Sequence, residues 1–177
     1  VITQCDEHAP RKRRVKELGV RLVAEADRDE YRIMQLHPKD TGGSFFEIDE
    51  QLGERAHDAD GPWEPAGGHG WAKAKRTERV AAIIGAELQC DDPEKVAARW
   101  GDIAEVAMTR DTKGNPALEL ENATLRFVPC TDGRPEGLGG IEIRANDRAA
   151  ILATAKACGA YRSDHEVYLV GLRVRLV

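Results

Sequence analysis

The chain has 177 residues, a formal net charge of −5 and 41% hydrophobic residues, a composition that suits one or two compact domains. Its acidic balance argues against general binding of nucleic acid, which requires a basic surface. No apolar run approaches the roughly 18 residues of a membrane-spanning helix, and no signal-peptide pattern opens the sequence. The four cysteines are far apart and show no zinc-type spacing, so we expect reduced thiols in a cytoplasmic protein.

The first 50 residues carry the signals of four strands and one helix. Residues 1–5 are mostly β-branched and apolar, which predicts a strand. Asp6 is a candidate N-cap for a helix that has Pro10 in its first turn and ends at Gly19. The remaining predicted strands are 20–24, 31–36 and 44–48. The predicted order is therefore β-α-β-β-β.

The same order recurs twice along the chain. Gln89-Cys90-Asp91 repeats Gln4-Cys5-Asp6 residue for residue. The second copy is predicted as a strand over 80–88, a helix capped by Asp91 or Asp92, and strands over 105–109 and 117–128, with a turn at 121–123. The third copy is predicted as a strand over 141–143, a helix over 149–157 capped by Asn146 or Asp147, and strands over 160–162 and 167–177.

Three βαβββ modules predict an α+β fold in which modules pair, because four strands and one helix leave one sheet face uncovered. We expect residues 78–177 to form one domain from two modules. Residues 1–50 are expected to be half of a first domain that lacks its N-terminal partner module, and residues 51–77 to be a linker. Pairing of the first module across a dimer is the alternative.

The repeat, together with His37-Pro38-Lys39-Asp40-Thr41-Gly42-Gly43 followed by Ser44-Phe45-Phe46-Glu47-Ile48, resembles the vicinal oxygen chelate superfamily. This group contains glyoxalase I, methylmalonyl-CoA epimerase, extradiol dioxygenases and bleomycin-resistance proteins. The loop is most similar to that of methylmalonyl-CoA epimerase. The resemblance implies open, barrel-like mixed sheets built from paired modules, with a divalent metal ion in the cleft.

The resemblance also implies the metal ligands: a histidine near the start of a module's first strand and a glutamate on its last strand. Glu47 matches the glutamate. Strand alternation would place Phe45, Glu47 and Asp49 on one face, where a carboxylate can bind metal or move a proton. We therefore take Glu47 as the catalytic and metal-binding candidate and His37 as a second catalytic candidate. The alternatives are a water-facing strand carboxylate and a histidine that orders its turn.

The other candidates are substrate-binding residues. The backbone amides of the Gly42-Gly43 turn could hold an anion, although a glycine pair is also common in ordinary β-turns. At the place of Glu47 the second module has Arg126, which would favour an anionic substrate over a metal ion; the alternative is an exposed strand face with cross-strand ion pairs. The substrate-binding candidates are Gln35, Lys39, Thr41, Gly42, Gly43 and Arg126.

Two functions follow from this reading. The first is metal-assisted proton transfer by an isomerase, epimerase or lyase that acts on a small oxygenated or CoA-linked metabolite. The second is a metal-free protein that binds or sequesters a small molecule. The sequence has no nucleotide-cofactor motif. We expect a small-molecule ligand and a homodimer, and neither nucleic acid nor membrane as a partner.

Overall fold

The computed structural model describes all residues from Val1 to Val177. The chain divides into two compact units, Val1–Lys75 and Arg76–Val177. All three βαβββ modules are present, one in the first unit and two in the second. None of the helices has the length and apolar character that crossing a bilayer requires.

The elements follow the predicted order. The first module consists of β1 (Ile2–Gln4), α1 (His8–Glu17), β2 (Leu22–Asp27), β3 (Tyr31–Leu36) and β4 (Phe46–Gln51). The second consists of β5 (Val80–Cys90), α2 (Pro93–Ala104), β6 (Met108–Arg110), β7 (Pro116–Glu119) and β8 (Thr124–Pro129). The third consists of β9 (Gly137–Ala145), α3 (Arg148–Ala157), β10 (Tyr161–Ser163), β11 (Glu166–Leu169) and β12 (Leu172–Leu176).

Every module has the same strand order, in which the first strand pairs in parallel with the last and the other pairs are antiparallel. The first unit is the four-stranded sheet β1-β4-β3-β2. The second unit is the eight-stranded sheet β10-β11-β12-β9-β5-β8-β7-β6, whose two modules join through the antiparallel pair β5·β9. The predicted α+β class with open, mixed sheets is confirmed.

The start of α1 differs from the prediction. The helix begins at His8 with Glu7 as its N-cap residue, and the predicted cap at Asp6 is wrong. No cap side chain bonds to the first turn. Instead, the backbone N–H of His8 donates to the Glu50 carboxylate on β4, with an N–O distance of 3.1 Å. A carboxylate on a distant strand thus accepts the hydrogen bond of a helix N-terminal N–H group, a role that a local cap residue usually has.

The last predicted strand, 167–177, is in fact the hairpin β11–β12. Its turn is formed by Val170 and Gly171, whose φ angles are 46° and 87°. Two successive left-handed residues are typical of the tight turn that joins antiparallel strands. A two-residue turn does not interrupt an alternating pattern of apolar side chains, so the prediction of one continuous strand was wrong.

The helices cover one face of each sheet, and the apolar residues pack there. In the first unit α1 lies against β3 and β4, and in the second unit Trp100 of α2 packs edge-to-face on Phe127 at 5.8 Å between ring centroids. The buried apolar residues include Val15, Met34, Leu36, Phe46, Ile48, Trp100, Ile103, Leu118, Leu125, Phe127, Val174 and Leu176. The opposite sheet faces carry the polar residues discussed below.

Candidate functional site

Strand β4 carries two carboxylates on the sheet face that α1 does not cover. Phe46 and Ile48 point into the apolar core, so Glu47 and Asp49 point to the other side. Both carboxylates are nevertheless buried, with 7% of Glu47 and none of Asp49 exposed. Phe45, which precedes the strand, is 52% exposed. The two carboxylates are therefore buried, while Phe45 and Ile2, the β1 partner of Glu47, remain open to water.

The two carboxylates differ in their partners. The side-chain amide of Gln35, opposite Glu47 on β3, donates a hydrogen bond to the Glu47 carboxylate. No donor of the protein reaches either oxygen of the ionised Asp49 carboxylate, and its side chain contacts that of Glu47, with which it can share a hydrogen bond only when it is protonated. Burial, reinforced by the charge of Glu47, raises the pKa of Asp49 to about 7. Near neutral pH the Asp49 carboxyl group is therefore partly protonated.

The segment predicted as a linker packs against this face of the first unit. Gln4, which is the β1 partner of Asp49, donates from Nε2 to the carbonyl of Ala56 at 2.8 Å. The side-chain oxygen of Gln51 accepts from the backbone N–H of Glu64 at 3.4 Å. Both glutamines lie beside Asp49 and share its face, so these bonds hold the segment over that end of the face. This explains why Asp49 is completely buried.

The loop between β3 and β4 is held mainly by its own hydrogen bonds. His37 Nδ1 accepts from the backbone N–H of Lys39 at 3.1 Å, which makes His37 the cap of a short 3-10 turn. The hydroxyl of Thr41, which is fully buried, donates to the carbonyl of Ser44 at 2.6 Å. No hydrogen bond joins His37 to Glu47. The structure thus places Gln35 beside Glu47 but gives His37 and Thr41 roles within the loop.

The Thr41 hydroxyl allows a direct test of how this loop is held. Thr41→Val removes the donor and leaves the buried Ser44 carbonyl without it, so we expect the first unit to lose about 1–2 kcal/mol of unfolding free energy. Urea unfolding followed by tryptophan fluorescence measures the loss. Thr112→Val, at an exposed turn of the second unit, is the matched control and is expected to change stability by less than about 0.5 kcal/mol. A loss of that small size for Thr41→Val would contradict the assignment.

The glycine pair of the loop adopts backbone angles that other residues rarely adopt. Gly42 and Gly43 have φ angles of 67° and 79°, so the turn requires glycine at both positions.

Asp40 of the same loop accepts hydrogen bonds from the Arg21 guanidinium at 2.8 and 2.7 Å, and this contact holds the pKa of Asp40 well below its usual value. The side chain of Lys39 remains exposed.

In the second unit, ion pairs fill the corresponding sheet face. Arg126 bonds to Glu142 at 2.8 Å. Arg173 bonds to Glu87 at 2.7 Å and to Asp132 at 2.6 Å. Arg126 belongs to the second unit and Glu47 to the first, and within its own unit Arg126 is engaged by a carboxylate.

The residues present do not complete a metal site. The chain contains no group of three or more His, Cys, Asp or Glu side chains placed to hold a metal ion. Glu47 and Asp49 supply two carboxylates, and an amide occupies the neighbouring position on β3. At the places of Glu47 in the second and third modules, guanidinium groups would repel a cation. The donor set therefore does not fit the divalent metal that the resemblance implies.

Asp49 is the one residue of the carboxylate pair that was not among the site candidates chosen from the sequence. Alternation along β4 already placed it on the face of Glu47, two residues further on. What the sequence could not indicate is its burial beneath segment 52–75, which depends on the bonds made by Gln4 and Gln51. Without that burial a carboxyl group has an ordinary pKa and no evident chemical role.

Comparisons with known proteins identify the fold. No protein-family model and no curated protein matches the chain. Among solved structures, a hypothetical protein from Staphylococcus aureus matches 99% of this chain and 63% of its own, with a TM-score of 0.58 and 11% identity. The 2,2',3-trihydroxybiphenyl 1,2-dioxygenase of Sphingomonas wittichii strain RW1 matches 99% of this chain and 68% of its own, with a TM-score of 0.58 and 13% identity.

A halotolerant catechol dioxygenase gives the same picture, with 99% of this chain and 65% of its own covered, a TM-score of 0.55 and 11% identity. The chain thus spans about two thirds of the length of these three structures. The structural similarity establishes a common fold. Because the sequence identities are so low, the function has to be argued from the site.

Proposed function

We propose that this chain, whose fold is that of the vicinal oxygen chelate superfamily, transfers a proton on a small oxygenated metabolite at the polar face of its first unit. The observation that carries the proposal is the buried pair of Glu47 and Asp49 on β4. Its two carboxyl groups are buried side by side on one strand, and burial raises the pKa of Asp49 to about 7. Groups with such shifted pKa values are concentrated at catalytic sites.

In the proposed mechanism Glu47 accepts the proton from a carbon next to a carbonyl group. The amide of Gln35 orients the Glu47 carboxylate by its hydrogen bond, and Asp49 keeps a second proton beside it. Return of the proton to the opposite face of the same carbon gives epimerisation, delivery to the former carbonyl carbon of the enediol gives isomerisation, and loss of a β-substituent gives a lyase reaction. The metal ion that the resemblance implies would polarise the carbonyl, but no step is assigned to it, because the present residues do not complete its ligand set.

The loop from His37 to Gly43 adjoins β3 and β4 and is the proposed contact for the remainder of the substrate. Lys39 is exposed on this loop and could pair with a carboxylate or with the phosphates of a CoA-linked substrate. His37, Thr41, Gly42 and Gly43 contribute by fixing the loop. Arg126 is engaged by Glu142 in the second unit, and no role at this face is proposed for it.

The test is exchange of substrate protons with solvent. The purified protein is incubated in D₂O with a panel of 2-oxo acids, hydroxyketones and acyl-CoA thioesters, with and without added Mg²⁺, Mn²⁺, Co²⁺ or Zn²⁺, and the α-proton is followed by ¹H NMR. We expect catalysed loss of the α-proton signal for one of these classes. Exchange no faster than in buffer for every class, with and without each cation, would refute the proposal.

A metal-free binding protein is the second candidate. The ion pairs on the face of the second unit favour it, because arginine and glutamate side chains stand there in place of metal ligands. Elemental analysis of the purified protein separates the two candidates when combined with the exchange assay. A stoichiometric divalent ion together with α-proton exchange supports the enzyme, whereas tight binding of a small molecule without exchange supports the binding protein.

Homodimerisation and a cytoplasmic location are part of the proposal. The four cysteines form no disulfide, as expected in a reducing compartment. Light scattering coupled to size-exclusion chromatography tests the dimer, and fractionation of cells that express the full-length protein tests the location.

A further inference from the structure

We propose that a groove in the second unit, beside Arg175 and Lys113, binds a small oxyanion, namely the carboxylate or phosphate group of a metabolite. The groove shares no residue with the Glu47 face of the first unit, so the proposal does not depend on the proton-transfer function.

The groove has a volume of about 230 Å³ and lies between β12 and the turn at residues 111–115. Its apolar lining includes Val128 and Pro129. Its charged lining comprises three cations, Lys113, Arg173 and Arg175, and two carboxylates, Glu87 and Asp111. Asp132 also lies 2.6 Å from Arg173, and Glu142 lies 3.7 Å from Arg175, but each is shared with a further arginine, Arg134 or Arg126. With these neighbours counted the cations exceed the carboxylates by one, so a monoanion would balance the groove.

The two carboxylates of the groove are already engaged by protein donors. Glu87 accepts from Arg173 Nε at 2.7 Å. Asp111 accepts from the backbone N–H groups of Lys113 and Asn115 at 2.8 and 2.9 Å and from the Asn115 side chain at 3.0 Å. Neither carboxylate needs the remaining cations of the groove as hydrogen-bond donors.

Arg175 is the cation left with free donors. Its guanidinium lies 3.6 Å from Glu87 and 3.7 Å from Glu142, and both distances are too long for a hydrogen bond. Its side chain is 32% exposed, so the two ion pairs offset part of its lost hydration, but its N–H donors have no protein acceptor. A guanidinium has five N–H donors in a planar fork that matches carboxylate and phosphate oxygens. An oxyanion in the groove would supply the missing acceptors.

Lys113 provides a second cation from the turn at the side of the groove. The Asp111 carboxylate fixes the backbone of this turn, while the Lys113 ammonium forms no ion pair. One guanidinium and one ammonium beside an apolar patch suit a small molecule with one anionic group and an uncharged remainder.

The test is an NMR titration of the full chain with inorganic phosphate and, separately, with acetate at low ionic strength. We expect shifts at groove residues with both probes, and the ratio of the two dissociation constants tells which oxyanion is preferred. Arg175→Met is expected to weaken binding by roughly tenfold or more, because it removes charged hydrogen bonds, and Lys113→Gln by a smaller factor. Arg162→Met, on the edge strand β10 and outside the groove, is the matched control.

Equal weakening by Arg162→Met and Arg175→Met would overturn the proposal, as would the absence of shifts at the groove with both probes. The exposed Lys113→Gln variant keeps the test informative if Arg175→Met fails to fold, since unchanged affinity there would count against the site. Glu47→Gln is expected to leave phosphate affinity unchanged, so failure of this site and failure of the proton-transfer proposal can be told apart.

Discussion

Glu47→Gln is expected to lower the rate of α-proton exchange by about 10²–10⁴-fold, the usual contribution of a general base. The amide has nearly the same shape as the carboxylate but cannot accept a proton from carbon. Because Gln35 donates to the Glu47 carboxylate and a glutamine retains one carbonyl oxygen, the local hydrogen bond can persist. The measurement is the initial rate of deuterium incorporation by ¹H NMR under the conditions that give exchange with the unaltered protein.

Glu54→Gln is the matched control, because Glu54 is exposed in the same unit and lies outside the polar face. We expect it to leave the exchange rate within about twofold, since exposed substitutions away from a site have small effects. A rate for Glu47→Gln within the same range would show that Glu47 is not the base. Gln35→Leu is expected to lower the rate less than Glu47→Gln, because Gln35 positions the base and does not itself accept the proton.

The repeated architecture could be predicted from the sequence because each module repeats the same local signals. The shared tripeptide at residues 4–6 and 89–91 marks the end of both strands, with β1 ending at Gln4 and β5 one position later, at Cys90. Of the alternatives left open for the helix caps, Asp92 and Asp147 are confirmed, with bonds of 3.0 and 2.9 Å to the backbone N–H groups of Lys95 and Ala150. Such signals act within a few residues, so they can be read without knowing the fold.

The features that escaped prediction depend on contacts between distant residues. The N-terminus of α1 is satisfied by Glu50, 42 positions further along the chain, so no local pattern could reveal it. The hairpin of β11 and β12 was hidden because Val170, which adopts a positive φ of 46°, is a residue type that seldom does so. In both cases tertiary context outweighed local preference.

The candidate site likewise combines features that the sequence indicated with features that only the structure shows. Strand alternation correctly indicated that Glu47 and Asp49 share a face, and the register of β3 against β4 adds Gln35 to it. The sequence had already placed Arg126 in the second domain, but only the structure shows that its ion-pair partner there is Glu142. The sequence also could not show that segment 52–75 packs over Asp49, since that contact is made by amide groups of Gln4 and Gln51 that many other arrangements could satisfy.

Asp49 is expected to make the first unit less stable as the pH rises from about 4 to 7. An aspartate in the unfolded chain has a pKa of about 3.9, whereas burial raises the pKa of Asp49 in the folded protein to about 7. Below about pH 4 both states are protonated and no stability is lost. Between these values the unfolded state releases its proton while the folded state keeps it, so the free energy of unfolding falls, on the order of 2–4 kcal/mol in all, and then levels off.

Asp49→Asn tests this expectation, because asparagine is neutral at every pH. Relative to the unaltered protein, the variant should gain stability progressively from pH 4.5 to 7.5, measured by urea unfolding at each pH. Trp63 and Trp71 lie in the first unit and Trp100 in the second, so a Trp100→Phe background makes tryptophan fluorescence report on the first unit alone.

Asp29→Asn, at an exposed turn of the same unit, is the control and should show no such trend. A stability difference between Asp49→Asn and the unaltered protein that stays constant across this pH range would mean that Asp49 is ionised in the folded state. A difference that widens toward neutral pH would instead show that the fold holds a protonated carboxyl group at a cost to its own stability. Retaining a proton at such a cost is expected of a group whose position serves chemistry, because an apolar residue at the same buried place would stabilise the sheet without that cost.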